Sequence, residues 1–253
     1  KIVFTQHTSY LKKPAFHRVI FRYVDAYIAI CSVAASSFAE IVPKNKIVIV
    51  RNGVNVSREG DSSLRVAGKC NIGMIARFHP VKNHQLLVKS IDILKNNNQI
   101  HDFHFTLIGD GSEIESIKSQ IKFMGCDDVV NFCGALESAS KYIDGFDYLL
   151  LCSKNEGMPI TILEALAKNT PVIATDVGGV SDLIADSVNG FLVKNDDPQE
   201  LANVIKVAGM RDSLEKFNNY FSRNEFKMSL SATFEEHLKV YSCVLDEKKG
   251  GCL

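Results

Sequence analysis

The sequence predicts an α/β protein: a doubly wound parallel sheet with helices on both faces, preceded by a smaller unit of the same kind. Three observations predict it. Short runs rich in Val, Ile, Leu and Phe show no polar face, as strands buried between two helix layers must. These runs alternate with helical patterns from end to end, the order that parallel βαβ crossovers require. One polar, glycine-containing stretch, residues 55–68 (NVSREGDSSLRVAG), interrupts the alternation and marks a boundary between two units. A chain of 253 residues is long enough for one large domain or two ordinary ones.

The first unit opens with a strand at residues 1–5, a helical pattern at 14–24 and a strand at 26–31. A helix at 33–41 follows, then a strand at 46–50 that ends in Arg51-Asn52-Gly53. The second unit starts with the strand 71–76. Its first helix, 83–95, places Leu86, Leu87, Ile91 and Leu94 at helical spacing. The strand 103–108 stops at Gly109-Asp110-Gly111, and a helix covers 113–123. Gly134 closes the strand 129–133, and a short helix at 139–143 leads to the strand 147–152. Pro159 suits the first turn of the helix 159–168, because its missing N–H does no harm there. A strand at 171–175 precedes Gly178-Gly179, which leads into a helix near 181–185. Asn189-Gly190 is a turn before the last strand, 191–193. Three helical stretches finish the chain, the longest at 226–244. Its stripe of Phe226, Leu230, Phe234, Leu238 and Tyr241 reads as core packing.

Composition narrows the function. The 29 basic and 29 acidic side chains cancel, which argues against a dedicated nucleic-acid binder. Ordinary apolar and charged content excludes a mostly disordered chain and a fibre. The seven cysteines form no C-x-x-C pair and lack metal-ligand spacing, so they read as reduced thiols of an intracellular protein. No apolar stretch approaches the roughly 18 residues of a membrane span. The chain opens at Lys1 on a strand with no signal peptide, which reads as a piece of a longer protein. The ending EKKGGCL does not fit a prenylation box, because Cys252 is too close to the end.

Ligands of parallel α/β sheets bind beyond the carboxyl ends of the strands, so chemistry is sought in the loops there. The strongest signal follows the strand 147–152: Ser153-Lys154-Asn155-Glu156-Gly157-Met158-Pro159-Ile160, with Glu164 further into the helix. The first amides of that helix lack internal partners and carry the positive end of the dipole, a ready site for a phosphate. Gly157 lets the backbone approach a ligand closely. Glu156 stands just before the amides, and Glu164 tilts back towards them. One carboxylate can face a sugar and the other the ribose of a nucleotide. The second signal is Arg77-Phe78-His79-Pro80-Val81-Lys82, after the second unit's first strand. Two cations on a loop stiffened by Pro80 could hold a diphosphate, the guanidinium by its fork and the ammonium as a point charge. Either pair alone would pass for ordinary surface charge. Both on one predicted sheet edge favour the functional reading.

Together these residues resemble a known family. Arg77-x4-Lys82, Gly109-Asp110-Gly111, and Glu156-Gly-Met-Pro-x4-Glu164-Ala165 look like the retaining GT-B glycosyltransferases of family 4, including their E-x7-E motif. Residues 171–175, Gly178-Gly179 and 189–193 fit the family's continuation. The resemblance covers 71–197 strongly and 1–55 moderately. It implies a GT-B fold: a Rossmann-like donor domain at 56–223, and at 1–55 the truncated tail of an acceptor-side Rossmann-like domain. Residues 224–253 would form a helix crossing back to the first domain, and a tail.

For the site, the resemblance implies that Arg77 and Lys82 hold the donor diphosphate. Backbone groups of Gly157, Met158, Pro159 and Ile160 would contact phosphate and sugar. Glu156 would bind sugar hydroxyls near the reacting carbon, and Glu164 the ribose. Gly134 to Leu136 would line the base pocket. His7, in Thr5-Gln6-His7-Thr8-Ser9 after a strand, would face the donor sugar across the cleft. Arg51-Asn52-Gly53-Val54-Asn55 resembles an interdomain segment in which Asp is commoner at the last position; Ala76 stands where Gly is frequent.

The implied activity is transfer of a sugar from a nucleoside-diphosphate sugar to an acceptor hydroxyl with retention, in polysaccharide or lipid-linked glycan synthesis. No metal or other cofactor is expected, and the stretch Lys194-Asn195-Asp196-Asp197 reads as a polar loop. The expected partners are the nucleotide sugar and a sugar, lipid-linked sugar or other hydroxyl acceptor, with no nucleic acid. The expected setting is the cytoplasm, with peripheral attachment to the inner membrane face through the missing part of the first domain. The truncation predicts impaired transfer by this chain alone. Two readings compete: a GT-B sugar-nucleotide epimerase, and a donor-binding half that needs a partner chain. A nicotinamide-dependent oxidoreductase would need G-x-G-x-x-G, but Ile114 occupies the third glycine position.

Overall fold

The computed structural model describes residues 1–8, 21–39, 41–55 and 59–246. Most of the helix expected at 14–24 lies outside the described residues; Phe21–Tyr23 is a 3-10 turn.

Strands β1 (Val3–Gln6), β2 (Ala26–Ala29) and β3 (Ile47–Ile49) form a parallel sheet in that order. Helix α1 (Ser32–Ala39) connects the second strand to the third. The second sheet holds β4 (Cys70–Ile75), β5 (Phe103–Ile108), β6 (Val130–Gly134), β7 (Tyr148–Leu151), β8 (Val172–Thr175) and β9 (Gly190–Val193). All its neighbours are parallel, in the order β6-β5-β4-β7-β8-β9. The helices are α2 (His84–Asn96), α3 (Ile114–Phe123), α4 (Ile160–Ala167), α5 (Pro198–Ala208), α6 (Arg211–Phe221) and α7 (Leu230–Leu245).

Strand alternation sorts the core into two layers. Ile72, Met74, Phe105, Leu107, Tyr148 and Leu150 face one way, against Leu87, Ile91 and Leu94 of α2, Ile117 of α3 and Ile205 of α5. Leu149, Leu151, Val172 and Ala174 face the other way, against Ile162, Leu163 and Leu166 of α4. Each fully buried large aliphatic contributes about 1.5–3 kcal/mol relative to exposure. The second layer does not stop at its own sheet. It continues into Tyr27, Ala29, Ile30 and Phe38 of the first unit, so one apolar cluster joins the two sheets.

Polar contacts fix how the units meet. The carboxylate of Asp182 accepts from the Ser32 amide at 2.7 Å and from the Ser32 hydroxyl at 2.5 Å. An acid of the second unit therefore caps the start of α1, where unpaired amides and the dipole favour negative charge. Asn52 donates from its amide to Met158 Sδ at 3.3 Å and from Nδ2 to the Met158 carbonyl at 3.4 Å. From the far end of the chain, Val54 N donates to the Met228 carbonyl at 3.1 Å, and Val240 and Val244 of α7 pack on Ala26, Ile28 and Val50.

Three elements differ from expectation. The helix expected near 181–185 is only the 3-10 turn Val180–Asp182, which the left-handed Gly178 (φ 58°) introduces. The segment 139–143 belongs to a longer 3-10 stretch, Ala139–Gly145. The last helix starts at Leu230 rather than 226, because the Ser229 hydroxyl accepts from Ala232 N at 3.2 Å and caps it there. The stripe read as core is also corrected. Phe234 is 62% exposed and Leu230, Leu238 and Tyr241 lie at the surface, because α7 turns its Val240/Val244 face to the sheet. Among the described residues no helix is long and apolar enough to cross a membrane, and Cys31, Cys70, Cys126, Cys133 and Cys152 are free thiols.

If Asp182 ties the units, Asp182→Ala removes both bonds to Ser32 and is expected to cost about 1–2 kcal/mol, the range for a lost helix cap. Urea unfolding would measure it, and Ser32→Ala, which removes one bond of the two, should cost less.

Candidate functional site

The sheet order places the site. The chain runs outward from β4 to β6, then crosses to β7 on the other side of β4. The loops after β4 and β7 therefore leave adjacent strands in opposite directions, and the crevice between them is where such sheets bind ligands. Ile72 and Gly73 of β4 pair with Tyr148 and Leu149 of β7. Gly73 is required at this seam: a Cβ there would stand 2.0 Å from the Phe146 ring.

Backbone contacts hold the β4 loop in shape. Phe78 N donates to the Asp110 carbonyl at 2.9 Å, and Glu113 N to the Phe78 carbonyl at 3.2 Å. The glycines of Gly109-Asp110-Gly111 permit this approach. Gly109 (φ 145°) would set a Cβ 2.0 Å from the Ala76 carbonyl oxygen, and Gly111 (φ 151°) one 2.4 Å from that of Phe78. Beneath the loop, His84 opens α2 with its ring stacked on Phe78 at 4.0 Å. Burial, with Lys82 nearby, lowers its pKa to about 4. Its ring nitrogens find no hydrogen-bond partner among the described residues.

The β7 loop is tied to the β4 loop by Lys154 N donating to the Val81 carbonyl at 2.8 Å. Across this tie Lys82 Nζ meets Glu156 Oε1 at 2.6 Å, with the two side chains 22% and 11% exposed. Ser153 Oγ donates to the same oxygen at 2.6 Å. Ser153 is fully buried, and its carbonyl accepts from Thr175 Oγ1 at 2.6 Å. Lys82 and Glu156 thus stand in one place although 74 residues separate them in the chain. Arg77, on the same loop, is exposed, and its side chain makes no ion pair or hydrogen bond among the described residues.

Helix α4 begins just beyond. Pro159 is its N-cap, in an extended conformation (φ −70°, ψ 122°), so it precedes the first turn rather than entering it. No side chain of the described residues caps this end. The amides of Ile160, Thr161 and Ile162 consequently lack intrahelical partners and point out of the start of the helix. Met158 and Pro159 are buried, and Ile160 is exposed. The Met158 carbonyl is already engaged by Asn52. Gly157 permits a close approach within the chain itself. A Cβ on it would stand 2.9 Å from the His7 carbonyl and 3.0 Å from Ile30 Cδ1, so the close approach it permits is to the first unit. That contact also brings His7, exposed at the end of β1, against the Glu156-Gly157-Met158 loop.

Glu164 lies on α4, half-buried. Burial raises its pKa, opposed by nearby Lys168 and a hydrogen bond from Ser140. Lys168 is itself ion-paired with Asp144. The Gly134 carbonyl accepts from Gly109 N at 2.8 Å, and Leu136 packs on the cluster that includes Ile162. Gly134 (φ 68°) has open space where a Cβ would be. Ser153, Asn52, Asp182 and His84 are the participants that the sequence did not single out. Among the described residues, no group of His, Cys, Asp and Glu is placed to hold a metal ion.

The chain belongs to the family Glycosyl transferases group 1, whose profile its residues 69–208 match. It is 28% identical over 218 residues to an uncharacterized glycosyltransferase of Methanocaldococcus jannaschii, covering 81% of this chain and 53% of that one. It is 27% identical over 190 residues to the UDP-Gal:alpha-D-GlcNAc-diphosphoundecaprenol alpha-1,3-galactosyltransferase of Escherichia coli, covering 71% and 48%. The chain thus spans about half the length of these relatives. Its fold is that of GT-B glycosyltransferases. Anabaena HepE, crystallised with UDP, superposes with a TM-score of 0.79 at 21% identity over 95% of this chain and 71% of that one. A Rickettsia africae glycosyltransferase does so with 0.81 at 20% identity, over 97% and 71%.

Two substitutions test the frame of the site. Gly109→Ala is expected to destabilise the chain by about 2–3 kcal/mol in urea melts, because the positive φ and the Ala76 carbonyl both oppose a methyl there. Glu164 has a raised folded pKa, so its neutral form is favoured in the fold. Its contribution is fully present below the ordinary glutamate range and lost as pH rises through the folded value. Glu164→Gln should therefore melt slightly higher than wild type at neutral pH, and the difference should vanish in acid.

Proposed function

We propose that this group 1 glycosyl transferase chain forms the donor side of a site that moves a sugar from a nucleoside-diphosphate sugar to an acceptor hydroxyl with retention. The observation that carries the reading is convergence. Lys82, Glu156 and the uncapped start of α4 meet at the crevice between β4 and β7, with Arg77 exposed on the same loop.

The chemistry asks for this arrangement. The bond between the anomeric carbon and the diphosphate oxygen breaks, and its electron pair stays on the diphosphate. The acceptor oxygen forms the new bond and gives up its proton to the departing diphosphate oxygen. Negative charge grows on the leaving group while positive character grows on the sugar. Arg77, Lys82 and the amides from Ile160 onward are donors for the first, and removing one such group costs on the order of 10²–10³ in rate. Glu156 would bind sugar hydroxyls, and Glu164 the ribose. Gly157, Met158 and Pro159 shape the phosphate contact, and Gly134 with Leu136 borders the base. His7 faces the sugar from the first unit. The proposal assigns no step to a metal or other cofactor.

We assign residues 56–223 to the donor domain, 1–55 to the acceptor side and 224–253 to a helix that rejoins it, and a tail. The described first sheet has three strands. An acceptor surface of that size leads us to expect donor binding with slow transfer, or none, by this chain alone; brisk turnover would overturn that expectation. UDP in the HepE crystals and the UDP-galactose named for the Escherichia coli relative make uridine nucleotides the first donors to try. Sugar, lipid-linked sugar or other hydroxyl acceptors are the partners expected, in the cytoplasm or at the inner membrane face.

A thermal-shift screen of nucleoside diphosphates tests the site. One of them should raise the melting temperature. Arg77→Ala and Lys82→Ala should each weaken its binding by about tenfold or more, the loss typical of a charge-assisted phosphate contact. A chain that none of them stabilises, or variants that bind as wild type does, would refute the assignment.

A further inference from the structure

We propose that the Lys82–Glu156 ion pair is a latch opened by the donor's diphosphate, and that Ser153 is the positioning residue that keeps Glu156 in place once Lys82 has left. The proposal rests on the donor-binding reading above and adds how the site tells a nucleotide sugar from a bare nucleoside diphosphate.

Two partners share Glu156 Oε1, each at 2.6 Å, but they are anchored differently. Lys82 reaches it with an ammonium on a flexible four-carbon stem. Ser153 reaches it from a fully buried position, with its carbonyl held by the equally buried Thr175. Lys82 can swing and Ser153 cannot. A diphosphate beside the start of α4 offers more charge and more acceptor oxygens than one carboxylate, so it can draw the ammonium away. Arg77, unpaired among the described residues, can engage the diphosphate without breaking any contact.

The exchange leaves Glu156 without its counter-charge at 11% exposure, an unfavourable state for a carboxylate. Sugar hydroxyls donating to it relieve that state, and its Oε2, bonded to none of the described residues, is available to them. A nucleoside diphosphate without sugar opens the latch and leaves the carboxylate stranded. The site should therefore favour donor over spent nucleotide, with Glu156 opposing diphosphate binding until a sugar is present.

Calorimetric titration of the full chain with UDP and UDP-glucose, at one salt concentration, separates the outcomes. Glu156→Gln should bind UDP about three- to tenfold tighter than wild type, because the competing charge is gone. The ratio of UDP-glucose to UDP affinity should fall about tenfold in Glu156→Gln and in Ser153→Ala, and return towards wild type in Ser153→Thr, which keeps the hydroxyl. Glu156→Gln weakening UDP, or Ser153→Ala keeping the wild-type ratio, overturns the latch while leaving the donor site standing. If Ser153→Ala does not fold, the sign of the UDP change in Glu156→Gln decides alone. A wild-type chain that binds neither UDP nor another nucleoside diphosphate overturns the donor reading itself, and the latch with it.

Discussion

The pairing of β4 with β7 is the constraint on which the rest of the structure depends. The chain lays two strands, β5 and β6, to one side of β4 before it returns and adds the next three on the other side. Strands brought together late in this way share a seam at which two loops must part. Gly73 keeps the seam tight, since any side chain there would strike Phe146. Because every pair in the sheet is parallel, all the strand ends that could carry ligand groups lie on one edge. The site is a consequence of that topology as much as of any single residue.

At the seam the electrostatics are finely divided. Lys82 is neutralised by Glu156, Arg77 is open to solvent, and the start of α4 presents amides with no side-chain cap. A buried ion pair by itself is poor evidence for stability, because desolvation offsets most of the attraction. Its persistence beside a helix start is better understood as a stored pairing that another anion can replace. Glu164 stands differently: burial is the leading influence on it, and its neighbouring cation Lys168 is already engaged by Asp144. Two carboxylates on one short segment thus have unlike surroundings, which suits unlike tasks.

The two sheets meet through a continuous apolar cluster, and a few polar contacts set the angle at which they meet. Asp182 caps α1, Asn52 holds Met158, and Gly157 lets the His7 backbone approach. All three contacts lie close to the crevice. A change in how the units meet would move His7 and the Glu156-Gly157-Met158 loop relative to each other. The return of the chain through Val54 and α7 fastens the same junction from the far side.

The sequence by itself determined the α/β class, nearly every strand and the two loops that carry charge. Those features are local: apolar runs without a polar face, helical spacing, and glycine or proline where the backbone turns. The run 103–108 coincides with β5 for this reason. Resemblance then supplied the likeness to GT-B enzymes from motifs close together in the chain. Only the tertiary structure decided what those residues touch. Lys82 meeting Glu156, Ser153 bracing it and Asp182 capping a helix 150 residues away depend on strand order and sheet docking, which no local pattern encodes. The same reason explains the misread stripe on α7: periodicity shows that one face is apolar, but the neighbouring sheet decides which face is buried. It explains Gly157 too, where the sequence shows that something must come close, and only the fold shows that it is the backbone of His7.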